Sequence, residues 1–321
     1  MKKIGIVTSG GDAPGMNAAI RSVVRTAIYN NIEICGIYDG FKGLYEKNFS
    51  YLNSRSVSGI INQGGTILKT KRFYEFKERE IREICYKNLR EEQIEALVVI
   101  GGDGSAKGAY LLYKEFNFPT VHIPASIDND VYGTDYTVGF DTAVNTAISA
   151  IDRIRDTATS HERIFIVEVM GRECGNLAFE VGIVCGAEIV LIPEVPFNID
   201  DVVKEIKEEE KKGKKSCIIV IAEGAIKAEE LTEILKEKLP EREIRYTVLG
   251  YIQRGGSPTY LTRKLATIFG VKAVELLIER QYGYMVGIKG EEIVFVPLSE
   301  VVSKKKIPKI EYMDIVKKMA I

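Results

Sequence analysis

Histidine is almost missing from this chain of 321 residues, which holds only His122 and His161, far apart in the sequence. Two separated imidazoles argue against a histidine-rich zinc site and against a catalytic relay centred on histidine. The net charge is also small, −1, because 44 Lys and Arg residues nearly balance 45 Asp and Glu residues. This balance argues against a broad basic face for nucleic acid or acidic membranes, although it leaves room for local patches.

Paired cysteines and long apolar runs are also absent. None of the five cysteines belongs to a C-x-x-C pair, and an odd number in a large chain fits reduced thiols buried as small hydrophobic groups. No run approaches the roughly 18 apolar residues of a membrane span. The run Ile4–Val7, which follows Met1-Lys2-Lys3, is too short for a secretion signal. We therefore expect a cytoplasmic protein without a membrane segment.

The chain does contain ample core material, with 45% hydrophobic and 28% charged residues. Its length predicts about two domains, and one very large domain is the alternative. Short β-branched runs predict strands at Lys3–Thr8, Glu33–Tyr38, Ala96–Ile100, Thr120–Pro124, Ile164–Val169, Ile189–Ile192, Cys217–Ala222, Tyr246–Tyr251 and Ile293–Val296. Helical periods predict helices at Gly15–Tyr29, Ser105–Glu115, Thr142–Arg155, Asp200–Lys212, Glu229–Lys238 and Thr262–Arg280. Apolar strands separated by helices are typical of parallel sheets covered on both faces, so the sequence predicts an α/β fold.

Three glycine-containing turns follow predicted strands. They contain Gly10-Gly11-Asp12, Gly101-Gly102-Asp103 and Met170-Gly171-Arg172. Ligands of open α/β sheets bind beyond the carboxyl ends of the strands, where Gly lets main-chain N–H groups approach an anion and helix N-termini favour negative charge. The turns therefore predict a phosphate site, although purely structural turns between a strand and a helix use Gly too.

The standard nucleotide signatures fail in this chain. Gly10 and Gly15 have the Walker spacing, but Met16-Asn17 replaces the Lys-Ser or Lys-Thr of a P-loop. The segment Gly102–Gly108 misses the dinucleotide fingerprint by one residue, which argues against a dehydrogenase. The catalytic-loop and metal-binding signatures of protein kinases are absent too. A nucleotide site in this chain therefore belongs to another class.

The segment Ser126–Asp130 follows a predicted strand and places two carboxylates, Asp128 and Asp130, at the same sheet edge as the glycine turns. Such a pair could supply a base for a hydroxyl group and a ligand near Mg²⁺, the two carboxylate roles in phosphoryl transfer. On spacing alone, an Asp- and Asn-rich turn that caps the next element explains the segment equally well.

Nine motifs follow one another from end to end of the chain: Thr8-Ser9-Gly10-Gly11-Asp12, Asn17-Ala18-Ala19-Ile20-Arg21, Gly64-Gly65-Thr66, Gly101-Gly102-Asp103-Gly104-Ser105, Ile127-Asp128-Asn129-Asp130, Gly139-Phe140-Asp141-Thr142-Ala143, Met170-Gly171-Arg172, Ala222-Glu223-Gly224 and Gln253-Arg254-Gly255-Gly256-Ser257-Pro258. Together they make the sequence resemble the bacterial-type 6-phosphofructokinases. Gly-Gly-Asp-Gly alone is shared with NAD kinases and diacylglycerol kinases. The Ile-Asp-Asn-Asp, Met-Gly-Arg and Gln-Arg-Gly-Gly-Ser-Pro motifs, in that order, are specific to phosphofructokinases.

The resemblance implies an architecture. It consists of two similar three-layer α/β domains with mostly parallel sheets and an active site in the cleft between them. The larger, nucleotide-binding domain would contain residues 1–138 and about 251–301. The smaller, sugar-phosphate-binding domain would contain about residues 139–250 and residues 302–321.

The resemblance also implies a glycolytic reaction, the transfer of the γ-phosphoryl group of ATP to the 1-hydroxyl of fructose 6-phosphate, under allosteric control. Asp128 would accept the hydroxyl proton, and Asp103 would hold Mg²⁺. Arg72 and Arg172 would stabilise charge on the transferring group. The nucleotide-binding positions match Gly11, Arg72, Phe73, Gly102, Asp103, Gly104 and Ser105.

The sugar-phosphate positions of the family match Ser126, Ile127, Asp128, Arg163, Met170, Gly171, Arg172, Glu223, Arg245, Tyr251, Ile252, Gln253 and Arg254. In the family, the residues that match Arg163 and Arg245 reach into the site of a neighbouring subunit, which implies a homotetramer. Without the resemblance, each of these Arg residues would be interpreted as a solvated surface side chain.

A regulatory anion site is implied as well. Arg21 and Arg25 are four residues apart on a predicted helix and share a face. The effector positions match Arg21, Ser22, Val23, Val24, Arg25, Arg55, Arg155, Gly186, Ala187, Glu188, Lys212, Lys214, Lys215 and Ser216. ADP is the expected activator and phosphoenolpyruvate the expected inhibitor. Lys212–Lys215 can also be explained as a basic helix end that complements the helix dipole.

Four positions depart from the family pattern. Tyr251 stands where a His is usual for the 6-phosphate, so a hydroxyl donor replaces a potential cation. Lys212 replaces an Arg and gives up bidentate recognition of an effector. Ser126 replaces Thr, and Ala125 replaces the usual Gly of members that use ATP.

Two alternatives remain within the same fold. Phosphofructokinases that depend on pyrophosphate typically carry Asp and Lys where this chain has Gly104 and Ala125, so the sequence favours ATP. A catalytically silent sensor of sugar phosphates is the second alternative. The presence of Asp103, Asp128 and Arg72 together argues against it.

Overall fold

The structure, a computed structural model, describes residues 1–319 of the chain. Twelve strands are described: β1 (Lys3–Ser9), β2 (Glu33–Ile37), β3 (Phe49–Leu52), β4 (Ala96–Gly101), β5 (Thr120–Ser126), β6 (Val138–Gly139), β7 (Ile164–Val169), β8 (Ile189–Leu191), β9 (Cys217–Ala222), β10 (Ile244–Val248), β11 (Tyr284–Lys289) and β12 (Glu292–Pro297). The described α-helices are α1 (Met16–Tyr29), α2 (Phe41–Glu46), α3 (Arg79–Glu91), α4 (Asp103–Phe116), α5 (Phe140–Ser160), α6 (Asn176–Val184), α7 (Ile199–Lys211), α8 (Ala228–Lys238), α9 (Tyr260–Ile278), α10 (Leu298–Val301) and α11 (Met313–Met319). One-turn 3-10 helices cover Tyr74–Lys77, Gly250–Arg254 and Ile310–Tyr312.

Contacts along the chain divide it into two compact units. Unit 1 contains Met1–Thr142 and Arg254–Lys306, and unit 2 contains Ala143–Gln253 together with the chain from Ile307 onwards. Each unit has one sheet and one set of covering helices. Most strand pairs in both sheets are parallel, which confirms the predicted α/β class.

The sheet of unit 1 has the strand order β12-β11-β5-β4-β1-β2-β3, with β6 paired to the end of β5. Only the pairs β2–β3 and β11–β12 are antiparallel. Buried side chains of β1, β2 and β4 form a core with helices α2, α3 and α4, in which the rings of Phe41 and Phe76 stack 4.0 Å apart. Helices α1 and α9 pack on each other and on strands of the same sheet. Helices on both faces explain why the central strands are continuous apolar runs.

The sheet of unit 2 has four parallel strands in the order β10-β7-β9-β8. Isoleucines of β7 and β9 pack against the apolar stripes of α7 and α8. Val202 and Ile206 of α7 belong to this stripe, so the charge-rich stretch around residue 206 is an amphipathic helix. Helix α6 packs on strands β7, β8 and β9.

Two element predictions need correction. The strand predicted at Tyr246–Tyr251 is β10, Ile244–Val248, because the chain turns at Gly250 with φ +54° into a 3-10 helix. The helix predicted at Thr142–Arg155 extends over Phe140–Ser160. All five cysteines are free thiols, as predicted. Among the described residues, no helix is both long and apolar enough to span a membrane.

Candidate functional site

The carboxyl ends of β1, β4 and β5 lie side by side in unit 1. In the register of the sheet, Ser9 of β1 pairs with Gly101 of β4, and Gly101 pairs with Pro124 of β5. The chain leaves β1 towards β2 on one side, whereas β4 continues to β5 on the other, so the strand order reverses between β1 and β4. In open α/β sheets, ligands bind at such a switch point. The two Gly-Gly-Asp turns and the Asp128 loop therefore meet where the fold favours a ligand.

The turn after β4 requires glycine for steric reasons. A Cβ atom on Gly101 would overlap the carbonyl oxygen of Ser9 and the hydroxyl of Ser105. That hydroxyl donates a hydrogen bond of 3.0 Å to the Ser9 carbonyl, which fastens the start of α4 to the end of β1. The carbonyl of Gly102 accepts the N–H groups of Ser105 and Ala106, so α4 begins directly after the glycines. The helix start and both glycine turns consequently form one tightly packed cradle.

Asp103 is the residue of this cradle that fits a divalent cation. Its carboxylate is exposed at the first residue of α4 and makes no hydrogen bond or ion pair with any other residue of the described chain. Residues 1–319 contain no cluster of three acidic, His or Cys side chains that could hold a metal ion alone. Mg²⁺ characteristically binds one or two carboxylates and completes its shell with substrate phosphates and water. The donor set therefore fits a cation that arrives with a phosphorylated ligand.

The Asp128 loop is held rigidly, and Asn129 provides most of its support. Asn129 has the left-handed φ of +51°, its side-chain amide donates to the Asp135 carbonyl, and its side-chain oxygen accepts the N–H of Thr137. The Thr137 hydroxyl donates a 2.6 Å bond to the Ser126 carbonyl. Asp128 is only 6% exposed, and its N–H donates to the Ser126 hydroxyl at 3.1 Å. The turn interpretation thus explains Asn129, whose side chain holds the loop together.

The segment after Gly64 is tied to the first glycine turn. The side chain of Asn17 donates to the Gly64 carbonyl at 3.0 Å and accepts the N–H of Ile67 at 2.7 Å. The Thr70 hydroxyl donates to the Gly10 carbonyl at 2.8 Å. These bonds bring Arg72, two residues later and exposed, to the same region of unit 1. Asn17 and Thr70 are supporting residues that the sequence did not identify.

Four further predicted residues belong to unit 1: Gly11, Phe73, Ile127 and Arg254. The guanidinium of Arg254 lies 3.8 Å from the Asp12 carboxylate, and a Cβ atom on Gly11 would be 3.4 Å from the same guanidinium. Phe73 is half-buried, and its ring lies 5.6 Å from that of Tyr45. Ile127 is buried in the fold. The structure therefore brings Gly11 and Arg254 together.

Because the pKa of the buried His122 is low, the stability of the fold should depend on pH. Burial lowers this pKa from 6.5 to about 3, against the opposing effect of a hydrogen bond to the Gly101 carbonyl. Between these two pH values the unfolded chain binds a proton that the folded chain excludes, so the fold loses stability as the pH falls below 6.5. Urea unfolding should therefore show the free energy of unfolding of wild type falling, relative to His122→Leu, by about 2 kcal/mol between pH 7 and pH 5. A difference between the two proteins that does not change with pH would contradict this.

In unit 2, the turn after β7 is braced by Glu223. One carboxylate oxygen of Glu223 accepts the N–H of Gly171 at 3.1 Å and the N–H of Arg172 at 2.8 Å. Gly171 has no alternative here, because a Cβ atom would overlap the carbonyl of Cys174. The structure thus brings Gly171, Arg172 and Glu223 together at the carboxyl edge of the sheet. It also gives Glu223 a positioning role that the sequence did not indicate.

Arg163 and Arg245 lie at the opposite, amino edge of the same sheet. Both flank Glu243, at 2.7 Å and 2.6 Å, and these hydrogen bonds lower the pKa of its carboxyl group. Strand β7 has six residues, so its two ends are about 20 Å apart. Arg163 and Arg245 therefore cannot contact the Gly171–Arg172 turn of their own chain.

Five predicted effector residues of unit 2 lie together. Arg155 donates to the carbonyls of Cys185 and Gly186, both at 2.8 Å, and lies 3.5 Å from the carboxylate of Glu188. Lys214 lies 3.4 Å from the same carboxylate. Ala187, buried, stands between Gly186 and Glu188 in the chain. The cluster combines the cations of Arg155 and Lys214 with the buried carboxylate of Glu188, and Lys214 also lies 3.4 Å from the carboxylate of Glu209.

Lys212 and Lys215 point to other partners. Lys212 lies 2.6 Å from Glu209, and Lys215 lies 2.6 Å from Glu162. Burial alone would raise the pKa of Glu209, but the hydrogen bonds from Lys212 and Lys214 lower it on balance. Ser216, next in the chain, is half-buried. Lys212 is thus connected to the cluster through Glu209, whereas Lys215 is directed elsewhere.

The remaining predicted effector residues belong to unit 1. Arg21 and Arg25 share a face of α1, and partial burial followed by the charge of Arg25 lowers the pKa of Arg21. Between them, the side chains of Ser22, Val23 and Val24 are buried, and the Ser22 hydroxyl donates to the Thr267 carbonyl of α9. These three side chains are therefore not presented to a ligand.

Five other predicted site residues, Arg55, Met170, Tyr251, Ile252 and Gln253, differ in their exposure. Arg55 is exposed on a turn that the side chain of Asn53 caps. Tyr251 and Ile252 are 77% and 57% exposed, and Gln253 is fully buried. Met170, which precedes Gly171, is half-buried. Tyr251 is therefore a surface residue, whereas Gln253, two positions later, belongs to the interior.

Gly101, at the end of β4, and Gly104, in the first turn of α4, should respond differently to replacement by Ala. Gly101→Ala should lower the free energy of unfolding by about 1–3 kcal/mol, because the added methyl group overlaps Ser9 and Ser105. Gly104→Ala is the matched control. A Cβ atom there meets nothing within 4 Å, and Ala in the first turn of α4 should keep or raise stability. Urea unfolding of the two variants checks this, and equal losses in both would contradict the steric explanation.

Comparison with known proteins gives a consistent result. The family model described as phosphofructokinase matches residues 3–277. An ATP-dependent 6-phosphofructokinase from Sulfurihydrogenibium is 53% identical over 98% of this chain and 98% of its own. A solved phosphofructokinase structure from Saccharomyces cerevisiae has a TM-score of 0.88 at 37% identity over 94% of this chain, which spans 45% of that one. A pyrophosphate-dependent phosphofructokinase from Marinobacter aquaeolei has a TM-score of 0.86 at 22% identity, covering 100% of this chain and 92% of that one. At that identity the likeness concerns the fold alone.

Proposed function

The chain belongs to the phosphofructokinase family, and from that premise we propose that it transfers the γ-phosphoryl group of ATP to the 1-hydroxyl of fructose 6-phosphate. The products are fructose 1,6-bisphosphate and ADP. The observation that carries the proposal is the meeting of both Gly-Gly-Asp turns and the Asp128 loop at the switch point of one sheet. That arrangement places phosphate-binding backbone beside a rigidly held carboxylate.

Asp128 is the base in this proposal. It accepts the proton of the attacking 1-hydroxyl while the oxygen forms its bond to the γ-phosphorus. The bonds of Asn129 and Thr137 fix the loop before substrate arrives, so the carboxylate needs no reorganisation. A base at a fixed position is what a positioned proton transfer requires.

Asp103 holds Mg²⁺ in this proposal, together with the phosphates of ATP. When bound, Mg²⁺ neutralises charge on the phosphate oxygens. The remaining nucleotide positions are provided by unit 1. They are Gly11, Arg72, Phe73, Gly102, Gly104 and Ser105. Arg72 and Arg172 stabilise the transferring group, a role that suits a guanidinium because it is always charged and donates in a planar fork.

ATP rather than pyrophosphate is the proposed donor. A side chain at position 104 would point into open space, so Gly104 leaves that space to the nucleotide. The test is turnover of fructose 6-phosphate with each donor, followed by the appearance of fructose 1,6-bisphosphate. We expect turnover with ATP and at most a few per cent of that rate with pyrophosphate. Faster turnover with pyrophosphate would assign the chain to the other class, and turnover with neither would favour a silent sensor.

In this proposal, residues of two neighbouring subunits hold each sugar phosphate. The turn Met170–Arg172 with Glu223, and the exposed Tyr251 with Arg254, serve the site of their own chain. Arg163 and Arg245 lie about 20 Å away at the amino edge of unit 2 and serve a neighbouring subunit. Such sharing requires an oligomer, and a homotetramer is the proposed state. The free cysteines support a cytoplasmic setting.

We also propose that the enzyme is regulated by a ligand that binds at the predicted effector residues. Arg155, Glu188 and Lys214, which lie together in unit 2, supply charges of the effector site in this proposal. Arg21, Arg25 and Arg55 are the further cationic residues that we propose for effector binding. ADP is the proposed activator and phosphoenolpyruvate the proposed inhibitor. Initial rates against fructose 6-phosphate should become less sigmoidal with ADP and more sigmoidal with phosphoenolpyruvate. Hyperbolic kinetics that neither ligand changes would contradict the regulatory proposal and leave the catalytic one standing.

A further inference from the structure

His122 occupies an unusual place beside the cradle. It lies in β5 within unit 1 and is fully buried. Its Nε2 atom lies 2.9 Å from the carbonyl oxygen of Gly101, the last residue of β4. Its Nδ1 atom is buried and makes no hydrogen bond with any of the residues 1–319. The imidazole therefore makes a single polar contact, and that contact is to the glycine turn.

The protonation state of the ring follows from this contact. A carbonyl oxygen only accepts, so Nε2 carries the hydrogen and donates it. Nδ1 then holds a buried lone pair without a donor, which destabilises the fold. Burial also lowers the pKa to about 3, so the ring is neutral at working pH. An apolar side chain would fill the same space without the orphaned atom, which leaves the bond to Gly101 as the contribution of the imidazole.

That bond acts on the peptide that joins Gly101 to Gly102. A trans peptide is planar, so a fixed direction of the Gly101 carbonyl fixes the opposite direction of the Gly102 N–H. Gly101 is the last residue of β4 that is paired in the sheet, and neither glycine has a Cβ atom, so this peptide has fewer steric restraints than one between larger residues. A donor from the neighbouring strand therefore adds a restraint that glycines cannot supply themselves.

We infer that His122 is a positioning residue for the phosphate-binding turn, since it orients the Gly101–Gly102 peptide so that the Gly102 N–H faces the phosphates of ATP. This inference rests on the proposed function. It concerns nucleotide binding alone, because the contact is to the turn after β4 and not to the Asp128 loop.

Three variants test the inference by steady-state kinetics and thermal unfolding. His122→Leu removes the bond and the orphaned atom together, so KM for ATP should rise about five- to tenfold, the value of one hydrogen bond. KM for fructose 6-phosphate should stay within about twofold, and Tm should stay equal or rise. His122→Gln places an amide donor near the position of Nε2 and should restore KM for ATP to within about threefold of wild type. His161→Leu, at the exposed second histidine, should change neither constant.

Other results of these measurements would overturn the inference about His122. An unchanged KM for ATP in His122→Leu overturns the inference, and so does a parallel fall of Tm and of both substrate affinities that Gln does not rescue. Failure of the proposed function is separable, because it appears as a wild type without ATP-dependent turnover. In that case calorimetric titration of ADP into the same proteins decides the role of His122. Weaker ADP binding only in the Leu variant supports the inference, and equal binding overturns it.

Discussion

Replacing Asp128 by Ser should lower kcat by about 10²–10⁴ and leave the KM values of both substrates within a few-fold of wild type. The carboxylate is removed, so nothing accepts the proton of the attacking hydroxyl. The hydroxyl of Ser still fills part of the space. Binding depends on the glycine turns and the cationic side chains, which the substitution does not touch.

The structure also indicates why this variant should fold. Hydrogen bonds of Asn129, of Thr137 and of the backbone N–H of Asp128 fix the loop, and the substitution leaves these bonds in place. Tm should therefore change little. Asp128→Asn serves as the matched variant, because it preserves the shape of the side chain and removes its basicity. We expect the same loss of kcat in both, measured at saturating ATP and fructose 6-phosphate.

A different outcome would identify another base. A near-normal kcat in Asp128→Ser would show that Asp128 is not the base. A near-normal kcat in Asp128→Asn but not in Asp128→Ser would show that the residue acts by hydrogen bonding, which Asn preserves, and not by accepting a proton. A large rise of both KM values with unchanged kcat would assign it to binding. Only a loss confined to kcat agrees with proton transfer.

The sequence predicted the parts of the fold that short-range patterns encode. The strands at Lys3–Ser9, Ala96–Gly101 and Ile164–Val169 are buried on both faces, and their unbroken β-branched runs reveal them. Helix α3 was not predicted, because it is highly charged and only a few of its residues contact the core. Helix α6 was missed for the opposite reason, since it is apolar nearly all round and shows no period.

The candidate site was predictable where glycine and carboxylates mark strand ends. The turn after β4 has room only for Gly at position 101, and this requirement is visible in the sequence as the motif Gly101-Gly102-Asp103. The roles of Glu223 and His122 could not be predicted in this way, because each depends on a strand neighbour far along the chain. Glu223 contacts residues 51 and 52 positions earlier, and His122 contacts a carbonyl 21 positions earlier. Register, which no local pattern encodes, creates those contacts.

The second large effect concerns catalysis by a pair of subunits. Arg163→Ala and Arg172→Ala should each lower kcat/KM for fructose 6-phosphate by at least about tenfold, because each removes a charged contact to the sugar phosphate. Hybrids formed by refolding or co-expressing the two variants at equal amounts should regain activity. In a mixed pair, one site combines Arg172 of one chain with Arg163 of the other and is intact.

The size of the recovery follows from counting sites. With random association half of the pairs are mixed, and one of their two sites is intact, so about a quarter of the wild-type activity should return. Arg163→Ala with Arg245→Ala is the matched control. Both residues lie at the same amino edge beside Glu243, so every site of that hybrid lacks one of them and no activity returns.

The geometry of unit 2 makes this experiment decisive. Arg163 precedes β7 and Arg172 follows it, so about 20 Å of extended strand separates them within one chain. An Arg side chain reaches less than half of that distance, so Arg163 cannot reach the turn of its own chain that carries Arg172. Hybrids no more active than the sum of their parents would therefore refute sharing between subunits. Sharing also has a consequence for Glu243, which pairs with Arg163 and Arg245 in the single chain. If a neighbouring site uses both guanidinium groups, it competes with this carboxylate for them, so Glu243→Gln should strengthen binding of fructose 6-phosphate in the assembled enzyme.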